Sequence, residues 1–145
     1  MTNAMASPAK ILGIDMGTKR IGLALSNAEN TFAFPLKTLD VVQIAKNLQG
    51  IAHQIGVIAH ENAVHDIVIG ESKAFSGQEN PIMEHVHAIK PMLEAQSFAV
   101  HLIPEFMTSA QAKRHQGETD HVDASAAAII LQTFLDKKMH AAKSQ

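Results

Sequence analysis

Three apolar runs follow one another at the start of the chain: KILGID at residues 10 to 15, RIGLALS at 20 to 26 and TFAFPLKTL at 31 to 39. The joints between them, residues 16 to 19 and 27 to 30, are four residues each. Parallel strands need a crossover of about a dozen residues or more, so joints this short permit only hairpins. The chain must therefore open as a three-stranded antiparallel sheet. Its first run is apolar on both sides, as a strand inside a sheet is. That run nevertheless ends in a carboxylate, Asp15, which is costly in such a place unless it binds something.

From Val41 the period changes. Val41, Ile44, Ala45, Leu48, Ile51, Ile55 and Ile58 recur at helical spacing, and Gly50 and Gly56 weaken that helix without ending it. DIVIG, residues 66 to 70, reads as a fourth strand closed by glycine, and ESKAFSGQEN after it as a polar, flexible segment. Asn80 and Pro81 form a cap and first turn for a helix whose buried stripe is Ile82, Val86, Ile89 and Leu93. SFAVHLI, 97 to 103, is a fifth strand that Pro104 should stop by removing a ladder donor. A short helix is expected over 109 to 115 and a loop over 117 to 120. The last helix then begins near Asp120 or His121 and runs through DASAAAIILQTFLDKK, with small residues on its closely packed face. Strands separated by single helices become parallel neighbours through right-handed crossovers. The result is an α/β chain with a mixed five-stranded sheet and helices on both faces. One domain spans residues 10 to 140, between a flexible tail over 1–9 and a short C-terminal tail over 141–145.

Composition narrows the function. With 46% hydrophobic and 18% charged residues, and no apolar run near the roughly 18 to 20 residues of a membrane span, the chain reads as an ordinary globular protein with no membrane partner. It has no cysteine, which excludes disulfides and thiolate metal sites and fits a cytoplasmic setting. A formal charge of −2 means that any nucleic acid must be met by a local basic patch. The nine histidines show no metal-binding spacing; His85 and His87, for example, would point to different sides of a helix.

Four acids fall at element ends: Asp15 after the first strand, Glu71 after the fourth, Glu105 after the fifth and Asp123 in the first turn of the last helix. Ends of parallel strands gather on one sheet edge, where such folds bind ligands. Carboxylates converging there repel one another unless a cation holds them, and oxygen-only ligands suit Mg²⁺ or Mn²⁺. Two such ions about 3.5 to 4 Å apart can activate water and stabilise a leaving oxygen in phosphodiester cleavage. Each acid also has an ordinary reading. Asp123 can simply oppose the helix dipole, worth about 0.3 to 1 kcal/mol, and Glu71 and Glu105 can be solvated. Asp15, in an Asp-x-Gly-Thr turn where glycine lets a ligand approach, is the acid for which function outweighs the ordinary reading. Lys19 and Arg20 beside it are the candidate phosphate contacts, with Lys73, Lys113 and Arg114 on flanking segments. Apart from Phe75 and Phe106 there is little aromatic surface for stacked bases, which favours recognition of backbone or duplex shape.

GIDMGTKRIGLALS, IVIG followed by a glycine at 77, PEFMTSAQA and DASAAAIILQTFLD resemble, in order and spacing, the YqgF family, also called RuvX-like Holliday junction resolvases. The resemblance runs from about residue 10 to residue 138. It implies an RNase H-like fold with strand order 3-2-1-4-5 and a cytoplasmic, metal-dependent nuclease. The implied activity is maturation of the 5′ end of pre-16S ribosomal RNA, with resolution of branched DNA as the older assignment and the ribosomal particle as a partner. The acids matching Asp15, Glu105 and Asp123 are the family's metal-binding catalytic set. This chain has Pro104-Glu105-Phe106-Met107-Thr108-Ser109 where the family usually reads Asp-Glu-Arg-x-Thr-Thr, Glu71-Ser72 where it has Leu-Pro, and Asn27 where an aspartate often follows the second strand. Glu71 is therefore expected to share or take over the role of Glu105, beside Asp15. Two other readings stay open: a non-catalytic RNA- or ribosome-binding module of the same fold, and a nucleotide-binding lobe like those of actin and the sugar kinases, whose first phosphate motif also reads Asp-x-Gly-Thr.

Overall fold

The structure, a computed structural model, describes residues 9–17, 19–41, 43–73, 82–106 and 124–143. Strands β1 (Lys10–Met16), β2 (Arg20–Ser26) and β3 (Ala33–Asp40) form the antiparallel meander that the short joints demand. A 3-10 turn, Ile44–Lys46, leads into helix α1 (Leu48–Glu61). Then come β4 (Val64–Lys73), α2 (Met83–Glu94), β5 (Ala99–Phe106) and α3 (Ala124–Lys143). The sheet order is β3-β2-β1-β4-β5, with β4 parallel to both β1 and β5. No helix among the described residues is long and apolar enough to cross a membrane.

The apolar side chains sort into two cores by the alternation of the strands. Leu12, Ile14, Ile21, Leu23, Ile67 and Ile69 pack with Ile51 and Ile55 of α1 and Val86, Ile89 and Leu93 of α2. Ile11, Ala24, Val68 and Ile103 pack on the other side with Ala127, Ile130, Leu131 and Leu135 of α3. The small residues of α3 let it come close. A Cβ added to Gly13 would lie 2.7 Å from the Leu131 Cβ and 3.0 Å from the Ala127 carbonyl oxygen.

Two strand ends differ from the expectation. β4 does not close at Gly70 but continues through Glu71, Ser72 and Lys73, and β5 passes through Pro104 to Phe106. Paired growth explains both: Glu71 registers with Pro104 and Lys73 with Phe106, so each strand lengthens the other. Pro104 is tolerated because β5 is an edge strand, with β4 as its one neighbour, and a missing N–H on the open side breaks no ladder. Helix α1 begins at Leu48 after the 3-10 turn rather than at Val41, and α3 runs to Lys143, into the stretch expected as a tail. The cap at Asn80 and Pro81, the helix over 109 to 115, the loop over 117 to 120 and the start of the last helix near residue 120 lie outside the described residues. So do the residues of the expected tails other than Ala9 and 141–143.

Candidate functional site

Asp15 stands at the carboxyl end of β1, half-buried. It shares its face with Ile11 and Gly13, the face that α3 covers. Its antiparallel partner is Gly22, whose own partner on β3 is Thr38. On the other side, the register Ile14 with Ile69, carried one residue further, puts Asp15 level with Gly70 of β4. The residue on each side of Asp15 in the sheet therefore has no side chain, which leaves room over its carboxylate for a ligand.

Alternation decides which of the other acids share that face. Ile67 and Ile69 belong to the α1/α2 core and Val68 to the α3 core, and the β4–β5 register is unbroken from Asp66 to Lys73. Glu71 therefore occupies a strand position of the α1/α2 side, opposite to that of Asp15, whereas the sequence led to the expectation that it stands beside Asp15. The β4 residue that does face the site is Gly70. Position 73 has the parity of Glu71, so Lys73 also occupies a position of the far face. Position 105 has the parity of Ile103 and so belongs to the α3 face, with Asp15. It is two strands across and two residues further along, about 12 Å from Asp15 between Cα atoms at ordinary sheet spacings. Asp123, Lys113 and Arg114 lie outside the described residues; Asp123 directly precedes Ala124, the first residue of α3.

Among the described residues, no three His, Asp or Glu side chains gather into a metal cluster. The acids assigned to one end of one face are nonetheless oxygen donors. The described histidine that faces α3 from β5, His101, is level with Gly13 in the register and is bonded to Asp66 at 3.2 Å and stacked on Phe134. An oxygen-only donor set fits Mg²⁺ or Mn²⁺.

Lys19 directly precedes β2 and Arg20 opens it, both exposed, near the end of β1 that carries Asp15. The Lys19 carbonyl accepts the Val41 N–H at 2.8 Å, which ties this corner to the end of β3. Arg20 has the parity of Gly22 and hence of the site face, and its Nε lies 3.5 Å from a carboxylate oxygen of Asp40, its cross-strand partner. That aspartate is missing from the residues singled out in the sequence, although the hairpin register would have revealed it. The pair is exposed, at 47% and 89%, and such pairs contribute about 0–1 kcal/mol, so a phosphate can displace the aspartate at little cost. A shallow groove continues from Asp40 along the start of α1, lined among the described residues by Val41, Asn47, Gly50, Ile51 and Gln54. Asn27 serves the other end of β2, where its carboxamide oxygen accepts the Thr31 and Phe32 N–H groups at 2.8 and 3.0 Å and builds the β2–β3 turn.

Residues 9–137 match the RuvX family, described as Holliday junction resolvase. The chain belongs to the RuvX family. Its curated relatives include a "Putative pre-16S rRNA nuclease" of Maridesulfovibrio salexigens, 31% identical over 87% of this chain and 97% of the relative. A protein of the same name from Novosphingobium aromaticivorans is 33% identical over 94% of this chain and 90% of its own. Among solved structures, RuvC of Thermus thermophilus superimposes with a TM-score of 0.60 at 14% identity, covering 90% of this chain and 96% of RuvC. That likeness shows the RNase H-like fold, and membership of RuvX makes the chain a nuclease of that fold.

Proposed function

We propose that this chain is a divalent-metal-dependent endonuclease that matures the 5′ end of pre-16S ribosomal RNA in the cytoplasm, with the precursor or its ribosomal particle as partner. Asp15 carries the reading: it is a carboxylate at the end of an interior strand, on the face shared with position 105 and the start of α3, with glycines beside it. Asp15, Glu105 and Asp123 would hold Mg²⁺ or Mn²⁺, which supplies polarisation of the phosphate and an acidified water. Glu71 is left out of the ligand set because of its face. Lys19 and Arg20 would clamp a phosphate next to the scissile one, with Arg20 exchanging Asp40 for the phosphate oxygen. The carboxylate of Asp15 fixes the strand's approach by repelling phosphates that are not neutralised at the site. A chain that only binds RNA would gain nothing from carboxylates on its binding face, which ranks the nuclease above a binding module. A nucleotide-clamping lobe ranks lower still, because none of the described residues that line the groove beside the site is basic.

The description of the family supports branched DNA as the other substrate. Purified protein incubated with 5′-extended 16S RNA or a four-way DNA junction, with and without Mn²⁺, separates the two. We expect Mn²⁺-dependent cleavage of the RNA, lost by more than about 100-fold in Asp15→Asn, beyond the cost of removing an outer-shell partner of a metal. Cleavage by Asp15→Asn at the parental rate would overturn the site, and cleavage of the junction alone would overturn the RNA assignment.

A further inference from the structure

Two glycines lie within α1, where each weakens the helix. Gly56 has a packing reason: the Gln96 side chain presses against it, and an added Cβ would strike that carboxamide. Gly50 has none, because among the described residues a Cβ added there meets nothing within 4 Å beyond its own helix. It lines the groove beside the candidate site together with Asn47, Ile51 and Gln54, which recur at helical spacing and so share one side of α1, against Asp40 and Val41 at the end of β3. The groove has a volume of about 340 Å³, within the range of small-ligand sites. None of its described lining residues is a cation, so an uncharged group suits it better than a phosphate. Two carboxamides and a carboxylate offer hydrogen bonds, and Val41 and Ile51 an apolar wall, which matches a flat heterocycle on a hydroxylated sugar.

We propose that this groove is a subsite for one unpaired ribonucleotide of the RNA, with its base over Gly50 and its 2′-hydroxyl donated to Asp40. This rests on the reading of Arg20 as a phosphate contact of the nuclease. Asp40 is where the two places meet, being both the cross-strand partner of Arg20, 3.5 Å from its Nε, and the rim of the groove. The bond from the Val41 N–H to the Lys19 carbonyl, 2.8 Å long, joins the same two segments. A carboxylate accepts several hydrogen bonds, and when a phosphate takes Arg20 the carboxylate of Asp40 is left for another donor. The sugar carbon that bears the 2′-hydroxyl adjoins the one that bears the 3′-phosphate, so a single nucleotide supplies both halves of the exchange. DNA lacks that hydroxyl, and Asp40 thereby tells RNA from DNA.

Fluorescence anisotropy with a short single-stranded RNA and the DNA of the same sequence, without divalent cation so that neither is cut, tests this on the parent, Asp40→Ala, Gly50→Leu and the double alanine variant of Lys19 and Arg20. A thermal melt accompanies each. The parent should prefer RNA by about 10-fold, the worth of a hydrogen bond to a charged group. Asp40→Ala, which also frees Arg20, should bind DNA at least as tightly as the parent and lose the preference for RNA. Gly50→Leu should melt no lower than the parent, since leucine favours a helix, and bind the RNA about 10-fold more weakly because leucine takes the place of the base. Gly50→Gln replaces it should leucine fail to fold. Equal affinity of the parent for RNA and DNA, or a preference for RNA that survives in Asp40→Ala, overturns the role of Asp40 and the proposal with it. Parental RNA affinity in Gly50→Leu shows that no base enters the groove and overturns it as well. In these cases a double alanine variant that loses affinity for both strands leaves the phosphate contact standing. Parental affinity in that variant removes the contact on which this inference rests, whereas the metal site is read separately by cleavage in Asp15→Asn.

Discussion

The two faces of the sheet are built for different tasks. The face under α1 and α2 is packed with large aliphatic side chains along the whole strand length, from Leu12 to Met16 and from Val64 to Ile69, against two helices. Among the described residues, the face under α3 is packed by one helix, held close by Gly13 and Ala127. Toward the carboxyl end of β1 it gives way to Asp15, Gly22, Gly70 and Thr38. One face gains its stability from apolar area. The other gives up large side chains at one end, where a ligand needs room. A single rule, the alternation of side chains along a strand, assigns each acid to a face.

The largest expected effect tests that assignment. Glu105→Gln should lower Mn²⁺-dependent cleavage by more than about 100-fold, as for a direct ligand. Glu71→Gln should stay within about threefold of the parent, because its strand position belongs to the far face. Equal losses in the same assay would mean that the end of β4 does not keep its alternation.

Stability should divide along the same line. Ile55→Ala, fully buried on α1, leaves a cavity and should cost about 2–5 kcal/mol in urea unfolding. Gly13→Ala overpacks the α3 side and should cost about 1–3 kcal/mol. Mn²⁺ titration sharpens the contrast. Gly13→Ala pushes α3 outward and should weaken cation binding, whereas the folded Ile55→Ala protein should bind like the parent. Weakened binding in Ile55→Ala would show that the two faces are coupled.

The smallest effect concerns the rim. Replacing both Lys19 and Arg20 with alanine should reduce the slope of log affinity against log salt for RNA by about one to two units, because each phosphate that is no longer neutralised keeps its counterion. An unchanged slope in filter binding would move the nucleic-acid surface away from this corner.

Much of this was legible in the chain itself. The four-residue joints dictated the meander, because no other connection is that short. Single helices between later strands dictated parallel neighbours, and an apolar run ending in Asp-x-Gly-Thr pointed to the candidate site. These features are local: periodicity, turn length and composition act on residues near one another in sequence, so they can be read along it. What needed the tertiary structure was set by pairing between distant segments. β4 and β5 lengthen each other past Gly70 and Pro104, and that extra length carries Glu71 and position 105 inside strands, where parity rather than loop freedom fixes their faces. The partnership of Arg20 with Asp40 follows from the β2–β3 register, and that of Thr38 with Ala124 from the docking of α3 across 86 residues. Sequence determined which residues could do chemistry; packing decided which of them stand on the same side of the sheet, because a strand shows alternate residues to opposite faces and only its neighbours fix where it ends.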